Sequence, residues 1–327
     1  MRLAVSISLG SLSRDYRVLV SPPGGPRVEL RRIGTGGDIE RAAALVRDYD
    51  GRADAIGLGG VNLAFCIGRR RWAFPAGQYL LSQARRTPVV DGAGFKEAIE
   101  PDIVRKLAQS RGVSFAGTTA LVTSVLDRYP LAHALSQAGA FVLAGDPLFA
   151  LRVPLALPLG AFAAAATLTM PALRHLPLRF LYPRGDELRA AEQAGQPGMG
   201  RAQPRRERRA PWWLAAWVRR AQVVAGDFHL LARFGRLDLG GKVVITSALD
   251  DADVAWLFGC GAALVATATP RLERCSPAAN AMEALLVACI GLPPAAGDRP
   301  AGLRRAWREL GLQPYVERRP RGGAGVG

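Results

Sequence analysis

A chain of 327 residues, 49% of them hydrophobic, is long enough for two domains and has ample apolar material for a core. Its formal net charge of +16 is almost all arginine, because Lys96, Lys106 and Lys242 are the only lysines; the excess gathers at 201–220 and in the tail rather than on one periodic face, which argues against specific nucleic-acid binding. Cys66, Cys260, Cys275 and Cys289 form no Cys-x-x-Cys pair and have no histidine at zinc spacing, so neither a disulfide framework nor a metal site is expected, and a cytoplasmic protein with reduced thiols is.

The first apolar run, 3–9, reads as a strand and is too short for a signal peptide. A second strand is expected at 14–20, a loop at 21–26 and an edge strand at 28–33. Asp38 is placed to cap a helix over 39–49. A buried strand at 54–58 runs into Gly59 and Gly60, a hairpin around 69–71 follows, and a short strand at 88–90 ends at Asp91-Gly92. A helix at 100–111 closes this part.

Residues 123–147 (TSVLDRYPLAHALSQAGAFVLAGDP) are echoed without gaps at 246–270 (TSALDDADVAWLFGCGAALVATATP). Both open Thr-Ser-x-Leu-Asp, and both place a β-rich apolar run before the final proline. This repeated αβ unit predicts an α/β fold with a Rossmann-like parallel sheet and a helical insertion between the copies. The sequence does not decide between one continuous sheet and two lobes. The expected division is an N-terminal α/β domain at 1–147, an insertion at 148–219, a second α/β unit at 220–292 and a C-terminal segment at 293–327.

Within the insertion, 153–173 carries no charge and is long enough to cross a bilayer of ~30 Å. Its three prolines and Ala-rich centre favour a helix packed on the sheet or on a partner subunit. A mobile polar stretch is expected at 185–210 and a helix from Pro211, whose tryptophans and arginines suit a membrane surface or packing on its own domain. Strands are expected at 222–225, 242–246 and 262–266, then a helix from Ser276 to about 290, with serine as cap and Pro277 at the first position. A linker at 292–301, a helix at 303–310 and a disordered tail from 318 complete the chain.

Ligands of open parallel sheets bind outside the carboxyl ends of the strands. Those ends carry Gly57, Gly59 and Gly60, then Asp91, Asp146 and Asp227. Val-x-Ala-Gly-Asp occurs twice, at 142–146 and 223–227, and each aspartate either points into a crevice or caps the next helix. His229, two residues beyond Asp227, could serve with it as an acid/base pair or bind a metal, whereas His133 and His175 read as structural. Lys96 could exchange a proton with a substrate hydroxyl if Asp91 lies beside it. Gly57, Gly59 and Gly60, the Gly34–Gly37 turn, and Ser276 with Arg271 and Arg274 are candidate anion cradles, although none matches a full dinucleotide fingerprint. Asn280 and Glu283 share a helix face that could meet a polar ligand.

IGLGG at 56–60, PVVDG at 88–92, GDPLFA at 145–150, LYP at 181–183, GDFH at 226–229 and the 269–283 region together resemble a bacterial family labelled quinate dehydrogenase. The likeness runs from residue 1 to about 290. It implies NAD(P)-dependent oxidation of a cyclic polyol acid, with Gly57, Gly59, Gly60, Asp146 and Ser276 toward NAD or NADP. Asp227, His229, Lys96 and Asp91 would then handle the proton. A non-redox protein binding a small anionic or sugar-like ligand remains the alternative. A homo-oligomer is compatible with either, and a membrane-surface protein is the least favoured reading.

Overall fold

The computed structural model describes residues 1–23, 25–68, 70–110, 112–174, 209–291 and 299–319. The expectations for His175, the 181–183 motif and most of the 185–210 and 292–301 stretches, like that for the tail beyond 319, fall outside the described residues.

The chain opens with β1 (Arg2–Ser8), β2 (Tyr16–Val20), β3 (Val28–Gly34), α1 (Ile39–Tyr49) and β4 (Ala55–Gly59). The hairpin β5 (Ala64–Ile67) and β6 (Arg70–Ala73) follows, then α2 (Pro75–Leu81), β7 (Val89–Val90), α3 (Ala93–Ala98) and α4 (Glu100–Ala108). Next come β8 (Thr119–Val122), α5 (Tyr129–Gln137), β9 (Phe141–Ala144), α6 (Asp146–Phe149), β10 (Leu157–Pro158) and α7 (Leu159–Leu173). The remainder holds α8 (Trp212–Arg220), β11 (Val223–Ala225), α9 (Phe228–Ala232), β12 (Val243–Thr246), β13 (Leu249–Asp250) and α10 (Asp251–Gly259). It ends with β14 (Leu264–Thr267), β15 (Cys275–Ser276), α11 (Ala279–Ile290), α12 (Arg299–Glu309) and β16 (Tyr315–Arg318).

The protein is a mixed α/β molecule with two largely parallel sheets. The first runs β2-β3-β1-β4-β7, with only β2 antiparallel to its neighbour. The second runs β10-β9-β8-β11-β12-β14-β16, five parallel strands between antiparallel edge strands β10 and β16. Strands such as Val-Val-Ile-Thr in β12 are apolar throughout because helices cover both faces of a parallel sheet. Both copies of the repeat lie in this one sheet. The structural division therefore falls between β7 and β8, not at residue 147, since β8 and β9 pair with β11 rather than with the first sheet.

The two sheets are tied together twice. Helix α4 packs on α5, and after β14 the chain returns to lay α11 across β1, β3 and β4. Almost every residue of α11 is buried, which explains its Ala-rich sequence with Glu283 as its one charged residue. One apolar cluster runs through the first sheet and the near face of the second, and another fills the far face beneath α8, α9 and α10. Helix α7 buries only the stripe Phe162, Ala166 and Met170, against β9, β10 and the hairpin strand β6. No described helix is long and apolar enough to cross a membrane. Helix α8 turns Leu214 and Val218 inward and packs on its own sheet. Arg318, read as the start of a disordered tail, instead ends β16, which pairs with β14.

Candidate functional site

The carboxyl ends of the parallel strands in both sheets carry a shared polar cluster. Gly92, at φ +90°, turns the chain from β7 into α3 and so swings Lys96 toward the second sheet. Lys96 Nζ lies 2.6 Å from Asp127 Oδ1, on the turn after β8. Asn62 Nδ2, just beyond β4, donates to the same oxygen at 2.7 Å. The lysine is only 8% exposed, yet among the described residues Asp127 is the one acceptor for its three N–H bonds. Burial works against the Asp127 carboxylate, but Lys96 and Arg128 outweigh it and hold its pKa below the ordinary value.

Arg128 extends the cluster inward. It is buried, pairs with Glu100 at the start of α4, and donates to Ser247 Oγ at 2.6 Å at the end of β12. Its Nε stands 3.9 Å from Asp127 Oδ2, too far for a hydrogen bond, and among the described residues neither that Nε nor Glu100 Oε2 has a hydrogen-bond partner. Burial raises the Glu100 pKa, with Arg128 and Lys96 opposing. The second copy of the repeat mirrors the first, for Asp250 lies 3.8 Å from Arg14, a cation supplied, like Lys96, by the first sheet's loops. Arg14 also pairs with the fully buried Asp253 at 2.7 Å.

The other aspartates at the strand ends bind backbone. Asp146 accepts from Val125 N at 2.8 Å and Leu126 N at 3.0 Å, with Ser124 Oγ at 3.4 Å, and so shapes the turn that presents Asp127. Burial pushes the Asp146 pKa up to about 6, against the pull of those amides. Asp227 caps α9 through His229 N at 2.7 Å and Leu230 N at 3.1 Å. Asp250 forms a capping box with Asp253 on α10, and Asp38 caps α1 through Glu40 N and Arg41 N. Gly226 brings β8 and β11 together at this edge: a Cβ there would strike Thr123 Oγ1, which instead accepts from Asp227 N at 2.9 Å.

The structure pairs Lys96 with Asp127 rather than with Asp91. The Asp91 carboxylate accepts from Leu63 N at 2.7 Å and Ala93 N at 3.1 Å and builds the loop beneath the cluster. His229 Nε2 sits 3.4 Å from Arg14 Nη1, on the neighbouring edge of the second sheet. Gly57 and Gly59 do not open onto a crevice, since a Cβ at Gly57 would collide with the Asn280 carbonyl and one at Gly59 would lie 3.1 Å from Asn280 Nδ2. Gly60, at φ +73°, abuts Leu9. These glycines admit α11 to the sheet. Ser276 is in β15, paired with Leu249, and α11 starts later, at Ala279, without a side-chain cap. Asn280 and Glu283 face inward, to Ser6 Oγ at 2.8 Å and Phe95 N at 3.2 Å. Among the described residues no group of three or more His, Cys, Asp or Glu side chains could hold a metal ion.

Asp127, Asn62, Arg128 and Glu100 were not singled out by sequence reasoning. One signal was available for Asp127, because it is the aspartate of the repeated Thr-Ser-x-Leu-Asp motif.

No curated protein matches the chain. Residues 3–91 match the model of a domain of unknown function, DUF8753, a span that stops where the first sheet's strands end. Residues 94–319 match a second domain of unknown function, DUF8754, and the chain belongs to that family.

Proposed function

We propose that the Lys96–Asp127–Asn62 cluster binds a small hydroxylated ligand of the quinate or shikimate type and exchanges a proton with one of its hydroxyl groups. The observation that carries this reading is the buried Lys96 ammonium, which has one acceptor, Asp127, among the described residues and two further N–H bonds that a ligand oxygen could take. A buried cation with unused donors is costly unless a ligand or water supplies the oxygens. The Asp127 carboxylate, held ionised by Lys96 and Arg128, favours the protonated ammonium and fixes its position, so that Lys96 is the proton donor to the ligand oxygen. Asn62 holds Asp127 in place and does not need to touch the ligand.

A second reading, an NAD(P)-dependent dehydrogenase, draws support from the second sheet. Its five parallel strands β9-β8-β11-β12-β14 reverse their direction of growth between β8 and β11, the kind of switch point at which open parallel sheets bind ligands, and Asp127 stands at the reversal. The residues of the turn do not fit the dinucleotide, however. The run 123–128, Thr-Ser-Val-Leu-Asp-Arg, has no glycine, and its Val125 and Leu126 amides are spent on Asp146. The Gly57–Gly60 turn is filled by Asn280 and Leu9. We therefore derive no step through NAD or NADP.

Calorimetric titration of the wild type and of Lys96→Met with quinate and with shikimate tests the proposal. Saturable binding that falls at least tenfold in the variant is expected. Binding of equal strength in a folded Lys96→Met protein, or no binding of either compound to the wild type, would remove the support for it.

A further inference from the structure

We infer that Asp146 is a built-in anion occupying the phosphate position of the turn after β8, so that the second sheet takes no dinucleotide pyrophosphate at residues 123–128. In open parallel sheets a phosphate is held by the N–H groups of the turn leading from strand to helix. Here those groups are already engaged. Asp146 Oδ2 takes Val125 N at 2.8 Å and Oδ1 takes Leu126 N at 3.0 Å, so both carboxylate oxygens are committed. A pyrophosphate would compete for the same two donors and meet a like charge beside them.

The turn has little room to rearrange. Val125 is fully buried, Arg128 N bonds back to Ser124 O at 3.1 Å, and the Arg128 side chain is anchored on Glu100 and Ser247. A related arrangement occurs at three other helix starts, each capped by its own aspartate, whereas α6 begins after β9 with no side-chain cap. Asp38, Asp227 and Asp250 each place a carboxylate on the first amides of the next helix. The chain thus supplies its own anions where phosphate-binding folds leave open N–H groups.

This inference is independent of proton exchange at Lys96, and its test leaves Lys96 intact. The amide resonances of Val125 and Leu126 would be followed in ¹⁵N-labelled wild type and Asp146→Ser during titration with inorganic pyrophosphate, ADP and NAD⁺. In the wild type neither resonance should move. In Asp146→Ser both should shift saturably with pyrophosphate, with an affinity at least tenfold above any seen in the wild type. Saturable movement of either amide in the wild type would overturn the inference, as would a folded Asp146→Ser that ignores pyrophosphate. If the variant does not fold, the wild-type titration decides alone, with a shift at Val125 or Leu126 refuting and its absence up to millimolar ligand supporting.

Discussion

Replacing Asp127 by alanine strips Lys96, a residue only 8% exposed, of its one acceptor among the described residues and also leaves Asn62 Nδ2 without its Asp127 partner. Breaking one side of such a buried pair costs about 3–5 kcal/mol. Lys96→Met is milder, because Asp127 keeps Asn62 at 2.7 Å and the Arg128 guanidinium nearby; a loss of roughly 1–3 kcal/mol is expected. In the double variant no unpaired ammonium remains. It should therefore be no less stable than Asp127→Ala alone, which makes the two changes non-additive by about 2 kcal/mol. Urea unfolding at pH 7.5 with a common slope measures all three. Additivity within about 0.5 kcal/mol would show that the two side chains do not form a coupled buried pair. The pH dependence carries a sign of its own. The folded pKa of Asp127 is depressed, so the pair stabilises above the unfolded carboxylate pKa of about 4 and is lost as pH falls below it.

Gly57→Ala should push α11 off β4, because the new methyl meets the Asn280 carbonyl rather than open space; a loss of at least 1–3 kcal/mol, by the usual cost of overpacking, should appear as a lowered Tm. A phosphate cradle at that position would predict altered ligand binding with stability unchanged. Asp146 behaves oppositely to Asp127. Its folded pKa of about 6 lies above the ordinary 3.8, so the folded state binds the extra proton and stability falls as pH rises from about 4 through 6. The shift of about two units corresponds to roughly 3 kcal/mol. Wild type should lose stability relative to Asp146→Ser across that window, and parallel pH profiles for the two proteins would contradict the assignment.

Much of the secondary structure is legible in the chain because it follows local rules. Asp38 announces α1, and the apolar β-branched run at the end of each repeat announces β9 and β14. The joining of both repeats into one sheet is not legible, because strand order is decided by crossovers that no local pattern records. The same limit hid the site. Lys96 is closer in sequence to Asp91, and the packing of α3 and α4 against α5 brings it to Asp127. The Gly57–Gly60 turn misleads for a chemical reason, since a missing Cβ serves close helix packing as well as close approach of a phosphate. Asp146 marks the right strand end, but its partners are amides some 20 residues earlier, and sequence cannot tell a carboxylate that greets a ligand from one that replaces it.

The scarcity of lysine makes the central claim directly observable. With ¹³Cε-labelled lysine the protein gives three side-chain signals, from Lys96 in the cluster, exposed Lys106, and Lys242, whose Nζ donates to Ala221 O at 2.7 Å. Titration with quinate or shikimate should move the Lys96 signal saturably and leave the other two in place. A ligand that binds without moving Lys96, or that moves all three alike, would contradict the assignment of the site to Lys96, Asp127 and Asn62.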